Sequence, residues 1–428
     1  MVPNGWEVKS FAKLLKSGDV EKIQDGNHGD SHPKSSDFVK SGIPFVMARD
    51  LKKGTVNLES CAYITKEQAD SLRIGFAKTG DILLSHKGTV GLVAIVPLCD
   101  EYMMLTPQVT YYRIPQDSIL MSLYLYQFLL SHEYQSRFKN LAFQSTRSYL
   151  GITAQKELSI NLPPLPEQQK IAKILSTWDK AISATERLID NSTQQKTALM
   201  QQLLTGKKRL LDDAGERFAG DWEEVTLESV LDLMRSGLSR KLDSENIGIA
   251  VIRSNNIGTK YTNNLDIKYW YLDDPQGANV TNYILDEGDL LVNFINSLSQ
   301  IGKACIYRKY SETDSIYTTN ILRIKANPSK IDSIFLYLLT QTSGYDSYVK
   351  SITKPAVNQA SFTTKEFGSF KFDLPNLEEQ QKIATVLTNA DQEIDLLTQQ
   401  LADLQQEKKA LMQVLLTGKR RVVVDSPS

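Results

Sequence analysis

Apolar residues recur at alternating steps of four and three through two long stretches of the chain. The first runs Ile171, Leu175, Trp178, Ile182, Thr185, Ile189, Ser192, Lys196, Leu199, Leu203; the second runs Ile383, Leu387, Ala390, Ile394, Leu397, Leu401, Leu404, Lys408, Leu411, Leu415. That period is the seam of a long helix packed on a second helix, so the apolar members of both stripes are expected to form a helix–helix interface. Each stripe carries a lysine at the same point, Lys196 and Lys408, whose stem can lie along the seam with its charge in water. Pro166 suits a first helical turn, and Glu167 and Glu379 complement the positive end of a helix dipole. Gly206 and Gly418 stand where a left-handed residue closes a helix. A helix over residues 167–204 is about 57 Å long.

The two stretches are copies of one another. Residues 162–210 and 374–422 align without a gap at an offset of 212 residues, from Leu162 to Leu374. They share an LP.L.EQQKIA opening and an ALMQ.LLTGK close, with roughly half of all positions identical, well above chance for average composition. The order is therefore globular, helix, globular, helix. If the seams meet, the second helix runs back toward the first globular segment. The pair is then antiparallel, with a domain at each end and a pseudo-two-fold axis. This divides the chain into a globular domain (1–161), a long helix (162–206), a linker (207–220), a second globular domain (221–373), a second helix (374–418) and a tail (419–428).

The globular segments agree in layout more than in letters. Trp6-Glu7 answers Trp222-Glu223, residues 42–50 answer 248–256, and Gly80-Asp81 before an apolar run answers Gly288-Asp289. Short β-rich runs broken by Gly, Pro and Asn, then an aromatic helix-like segment, predict mixed α/β domains and an α+β chain overall.

Composition removes several function classes. The three cysteines, Cys61, Cys99 and Cys305, are too scattered for a disulfide framework or a zinc site. His28 and His32 would share a metal only on a helix, which Gly29 and Pro33 oppose. No phosphate-cradling G-x-x-x-x-G-K-[ST] loop is present, and no Gly-rich turn opens a methyl-donor site. Asn161-Leu162-Pro163-Pro164 is not an adenine-methyltransferase Asn-Pro-Pro-Tyr loop, because Leu162 interrupts it. The residues from Met1 to Trp6 lack the basic-then-apolar order of a secretory signal, and no apolar run approaches the ~20 residues of a membrane helix, so a soluble cytoplasmic protein without membrane association is expected. Net charge is −1; residues 1–161 hold 18 basic and 16 acidic groups, residues 221–373 hold 16 and 19. Neither domain is basic enough to hold DNA by bulk charge.

Two divergent globular domains, each followed by a near-identical helix with the LP.L.EQQKIA opening and LLTGK close, resemble the DNA-specificity subunits of Type I restriction-modification systems. The resemblance covers the whole chain, and the helical repeats are its specific part. It implies two target-recognition domains, each reading half of a bipartite double-stranded DNA site, and helices that space them. It further implies two modification subunits supplying adenine N6-methyltransferase chemistry, and restriction subunits. S-adenosylmethionine, ATP and magnesium would bind those partners; this chain would carry no cofactor, metal or catalysis. Helices kept alike beside domains that have diverged predict an asymmetric site.

Base readout requires paired donors and acceptors, and phosphate contact requires basic or amide groups. The candidates at the ends of apolar runs are Asn27, His28, Arg49, His86, Lys87, Gln144, Arg147 and Tyr149 in the first domain. In the second they are Ser236, Arg240, Arg253, Asn255, Asn256, Asn296, Gln300, Lys354, Asn358 and Gln359. Two other readings compete: a non-catalytic coiled-coil scaffold, and a single-chain methyltransferase or nuclease, which the absent donor and phosphate motifs disfavour.

Overall fold

A computed structural model describes residues 2–28, 32–143, 149–310, 313–357 and 359–424. The chain forms two compact units. One holds residues 1–188 and 397–428, the other residues 189–396.

In the first unit the strands are β1 (Glu7–Ser10), β2 (Lys22–Asp25), β3 (Ile43–Val46), β4 (Leu51–Lys52), β5 (Thr55–Val56), β6 (Ala62–Ile64), β7 (Phe76–Ala77), β8 (Ile82–Ser85), β9 (Val93–Ile95), β10 (Met103–Leu105), β11 (Val109–Arg113) and β12 (Ser159–Leu162). The helices are α1 (Phe11–Ser17), α2 (Lys66–Asp70), α3 (Ser122–Leu129), α4 (His132–Phe143), α5 (Ile152–Glu157) and, up to residue 188, the long α6 (Leu165–Leu203). A six-stranded sheet runs β2-β11-β8-β9-β5-β4, and a four-stranded sheet runs β6-β3-β10-β7. Strand β12 turns directly into α6 and is held by β1, antiparallel, with Glu7 opposite Leu162. The aromatic segment becomes α3, whose Tyr124, Leu125, Phe128 and Leu129 share one core with Ile82, Leu84 and Tyr112 of the sheet and with Ile171 and Leu175 of α6. Each such side chain contributes about 1.5–3 kcal/mol by leaving water.

The second unit repeats the plan. Its strands are β13 (Glu223–Thr226), β14 (Leu231–Ser236), β15 (Ile249–Ile252), β16 (Lys268–Trp270), β17 (Leu290–Asn293), β18 (Ile295–Asn296), β19 (Ala304–Ile306), β20 (Ser315–Tyr317), β21 (Ile321–Ala326), β22 (Lys354–Pro355), β23 (Ala360–Ser361) and β24 (Lys371–Leu374). The helices are α7 (Ser333–Leu339), α8 (Ser343–Ile352), α9 (Thr364–Gly368) and, up to residue 396, the long α10 (Leu377–Leu415). The order β14-β21-β17-β19 matches β2-β11-β8-β9, and β16-β15-β20 matches β6-β3-β10. Strands β18, β23 and β22 form a further small sheet of their own. The α+β class read from the sequence is the observed one.

The repeated helix motifs are built for attachment. In the first unit Glu167 is buried and accepts hydrogen bonds from Trp6 Nε1 (3.2 Å) and from Arg421. In the second, buried Glu379 accepts from Trp222 Nε1 (3.2 Å) and from Arg209 (2.6 and 2.7 Å). The next residue of each motif is equally committed. Gln168 donates to Pro163 O and Ile119 O and accepts from Met121 N; Gln380 donates to Pro375 O and Lys330 O and accepts from Asp332 N. The LLTGK close brings the arginine. Gly206 and Gly418 take φ of +67° and +73°, which turns the chain back so that Arg209 and Arg421 reach the two glutamates.

The helix stripes lie on the covered side. In the first unit Ile171, Leu175 and Leu415 are buried, and Trp178, Ile182, Leu397, Leu401, Leu404 and Leu411 are half-buried. In the second, Leu203, Ile383 and Leu387 are buried, and Ile189, Leu199 and Ile394 are half-buried. Within each unit the two helix segments run antiparallel: Glu167 and Asp179 meet Arg421 and Lys408, while Lys196 and Arg209 meet Asp391 and Glu379. The seam lysines differ from expectation. Neither charge is left to water, because Lys408 pairs with Asp179 at 2.5 Å and Lys196 pairs with Asp391. The two aspartates are equivalent under the 212-residue repeat.

Candidate nucleic-acid interface

In the first domain three strand ends meet at one edge of the six-stranded sheet. Strand β2 leaves through Gly26-Asn27-His28, β8 leaves through His86-Lys87, and β11 begins at Val109. Backbone hydrogen bonds tie them: Gly26 N to Val109 O, Asn27 N to Leu105 O, His86 N to Gln108 O and Leu150 N to His86 O, all 2.8–2.9 Å. Lys87 and Tyr149 form a β-bridge. The second domain makes the same connections at equivalent positions: Leu238 N to Tyr317 O, Phe294 N to Asn320 O and Phe362 N to Phe294 O (3.0, 3.2 and 3.3 Å). There the bridge is between Ile295 and Ser361. A Cβ on Gly26 or Gly237 would lie 2.0–2.1 Å from a backbone carbonyl oxygen, of Thr106 or Tyr317, so both positions exclude any side chain.

A buried ion pair supports each sheet behind this edge. Arg113 binds Asp81 through Nε (3.0 Å) and Nη2 (2.7 Å); Arg323 binds Asp289 at 2.6 Å and Asp286 at 2.9 Å. The aspartates come from the two Gly-Asp pairs. Burial pushes the Asp81 and Asp289 carboxyls upward, and the arginines oppose it. Asp81 also accepts from Lys78 N and Asp289 from Asp286 N, each three residues earlier, so the carboxylate shapes the turn as well as the sheet.

The candidate residues separate into two groups. His28, Arg49, Lys87, Tyr149, Asn255, Gln300, Lys354 and Gln359 are exposed, and Asn296 is half-buried on β18. His28 Nε2 lies 3.8 Å from Asp25, Arg49 Nε lies 3.9 Å from Asp50, and Lys354 pairs with Glu366 at 2.8 Å. Ser236 ends β14 and is half-buried.

The others serve the frame. His86 is buried, with Nδ1 against Thr110 Oγ1 and Nε2 3.0 Å from Pro107 O. Burial lowers its pKa, and the second domain has Phe294 in its place. Asn27 is buried, and its carbonyl bonds His32 Nδ1 at 3.0 Å. Asn256 is buried, receives Arg253 N and donates to the carbonyls of Asn263 and Leu265. Arg240 is held by Asp274, whose carboxyl it keeps well below the usual range. Arg253 is held by Asp266. A polar residue at a strand end reads alike in sequence whether it faces water or the turn beneath it, so these five could not be told from true surface groups. Gln144, Arg147 and Asn358 lie outside the described residues.

One signal in the sequence does mark the edge. Residues 82–99 and 134–156 of the first domain, and 290–311 and 347–365 of the second, contain no Asp or Glu. These segments supply Lys87 and Tyr149 on one side, and β18, β22 and β23 on the other. The segments themselves bring no carboxylate, although the domains are balanced or acidic in total charge; the acids beside the edge include Asp25, next to His28, and Glu366, paired with Lys354. Among the described residues no three His, Cys, Asp or Glu side chains are grouped to hold a metal, and no helix is long and apolar enough to cross a membrane.

Comparison with known proteins agrees with this organisation. Residues 6–191 and 219–406 each match the family described as the Type I restriction modification DNA specificity domain. The Type I restriction enzyme MjaVIII specificity subunit of Methanocaldococcus jannaschii is 24% identical over 446 aligned positions, covering 98% of this chain and 94% of that protein. A second relative from the same organism is 34% identical over 198 residues, and the match spans 46% of each chain, about half that relative's length. The crystal structure of a Type I restriction-modification S subunit from M. genitalium superposes with a TM-score of 0.57 at 17% identity, over 97% of this chain and 98% of that one, so the fold is shared. The chain belongs to the family of Type I restriction-modification DNA-specificity subunits.

Proposed function

We propose that the chain reads an asymmetric bipartite site in double-stranded DNA, one half-site per globular domain, and seats two modification subunits and the restriction subunits on it. It performs no chemistry itself. Adenine N6-methylation with S-adenosylmethionine belongs to the modification subunits, ATP and magnesium belong to the partners, and the complex works in the cytoplasm.

The observation that carries this reading is the pair of equivalent edges with unlike side chains. The backbone connections and the Asp–Arg supports recur, while Lys87 and Tyr149 of one bridge become Ile295 and Ser361 of the other. Two different half-sites require a constant frame with changed outer groups, since base edges specify and backbone contacts position. The acid-free segments suit a polyanion. With 18 basic against 16 acidic groups in one domain and 16 against 19 in the other, much of the phosphate contact comes from the partner subunits, so the lone chain binds DNA weakly and with strong salt dependence.

The test is co-expression with the modification subunits of the same genome, followed by sequencing for N6-methyladenine. One gapped, asymmetric motif is expected. A palindromic motif would remove the two-half-site reading. A stable complex that neither methylates nor prefers any sequence would favour the scaffold.

A further inference from the structure

The second domain elaborates its bridge into the small sheet β18-β23-β22. Strands β18 and β22 both run antiparallel to β23, and Asn296 and Pro355 both stand opposite Ala360. Leu298 and Val357 each follow two residues later. The register therefore brings both to the same end of the sheet, one on either side of β23. Leu298 is 69% exposed and Val357 is 100% exposed. Around them stand Ser297, Ser299, Gln300 and Gln359, all exposed and uncharged.

We propose that Leu298 and Val357 are specificity-determining residues that read a thymine 5-methyl group in the major groove of the second half-site; this rests on the DNA-reading function above. The major groove admits a β-ribbon, and the thymine methyl is its one apolar feature. Two exposed apolar side chains at one end of this small three-stranded sheet, with hydroxyl and carboxamide residues beside them in the chain, match a methyl flanked by hydrogen-bonding base edges. The strands and loops that carry the pair fall in two acid-free segments, 290–311 and 347–365, which also bear Lys303, Arg308, Lys350 and Lys365. The segments bring cations and no carboxylate of their own, which suits a site facing phosphates; Glu366, the residue directly after the second segment, pairs with Lys354. The first domain has Lys87 and Tyr149 at the equivalent bridge, so the methyl-reading pair belongs to the second half-site alone.

The experiment uses the complex assembled with its modification subunits and synthetic duplexes of the methylated motif. Each thymine of the second half-site is replaced in turn by deoxyuridine, which removes only the methyl. One replacement is expected to weaken wild-type binding about three- to fivefold, the value of one buried methyl. The L298S/V357S variant, whose altered side chains are solvent-exposed, is expected to bind the thymine duplex about as weakly as wild type binds the uracil one, and to lose the difference between them. A second half-site without an A·T pair, no replacement that matters, or a variant with the full deoxyuridine penalty would overturn the proposal with DNA reading intact. A variant that fails to assemble with the modification subunits would give the tip to a protein contact instead. Absence of any sequence preference in the wild-type complex would remove the DNA-reading function, and this proposal with it.

Discussion

Arg209 donates two hydrogen bonds, of 2.6 and 2.7 Å, to Glu379, which lies 170 positions further along the chain and is fully buried. The arginine follows one long helix and the glutamate opens the other. Arg209→Met leaves a buried carboxylate with only the Trp222 indole, and this costs about 3–5 kcal/mol. Adding Glu379→Gln removes the stranded charge and recovers a large part of that loss. Denaturant unfolding of the full chain, with both single variants and the double, measures the coupling. Additive losses would mean the pair is not coupled.

His86 is a framework residue, and its titration reports this. Its folded-state pKa is lowered by burial, so below about pH 6.5 the unfolded chain takes up a proton that the folded chain refuses, and stability falls as pH falls. The steepest slope is about 1.4 kcal/mol per pH unit. His86→Phe, which copies Phe294 of the second domain, lacks this slope and leaves the methylated motif unchanged. Melting curves of both proteins between pH 7.5 and 5 are expected to converge as pH drops. An altered first half-site in the variant would return His86 to the DNA surface.

Lys87 is exposed at the bridge to Tyr149. Lys87→Ala is expected to weaken DNA binding of the assembled complex evenly across sequences. The slope of log affinity against log salt should shrink by about 0.9, the value of one phosphate contact. Titrations at several salt concentrations measure it. A change at one position of the first half-site with an unchanged slope would assign the lysine to a base edge.

The two helix-closing glycines separate strain from collision. At Gly206 a Cβ meets Trp222 at 3.4 Å, an ordinary contact; at Gly418 it would lie 2.4 Å from Pro3 Cγ. Gly206→Ala is expected to cost about 1–2 kcal/mol through its positive φ alone. Gly418→Ala costs more, because Pro3 must move. Calorimetry on the two variants ranks them, and equal losses would show that Pro3 yields freely.

The helices and the α+β plan were legible because a heptad stripe and an exact 212-residue offset are local or translational patterns. The functions of the repeated letters were not. Glu167 looks like a dipole partner, yet it accepts from Trp6 and Arg421, 161 and 254 positions away. Lys196 and Lys408 look like residues with charges in water, because the facing aspartates belong to the other stretch. At the candidate edge, burial divides the polar residues of the strand ends in a way that spacing does not encode. Asn27, His86 and Asn256 turn inward, while Lys87 and Gln359 do not.

The division of the chain into units also orders its synthesis. Residues 189–396 form one unit without interruption, whereas the other needs residues 1–188 together with 397–424. Translation is vectorial and slow relative to collapse of a domain. The unit begun first is thus finished last: Glu167 waits for Arg421 until after the second unit has all its residues. For that interval the nascent first domain carries a buried acid without its cation, and the first half of helix α6 lacks its partner, so truncation just after residue 396 harms the domain made first, not the one made last.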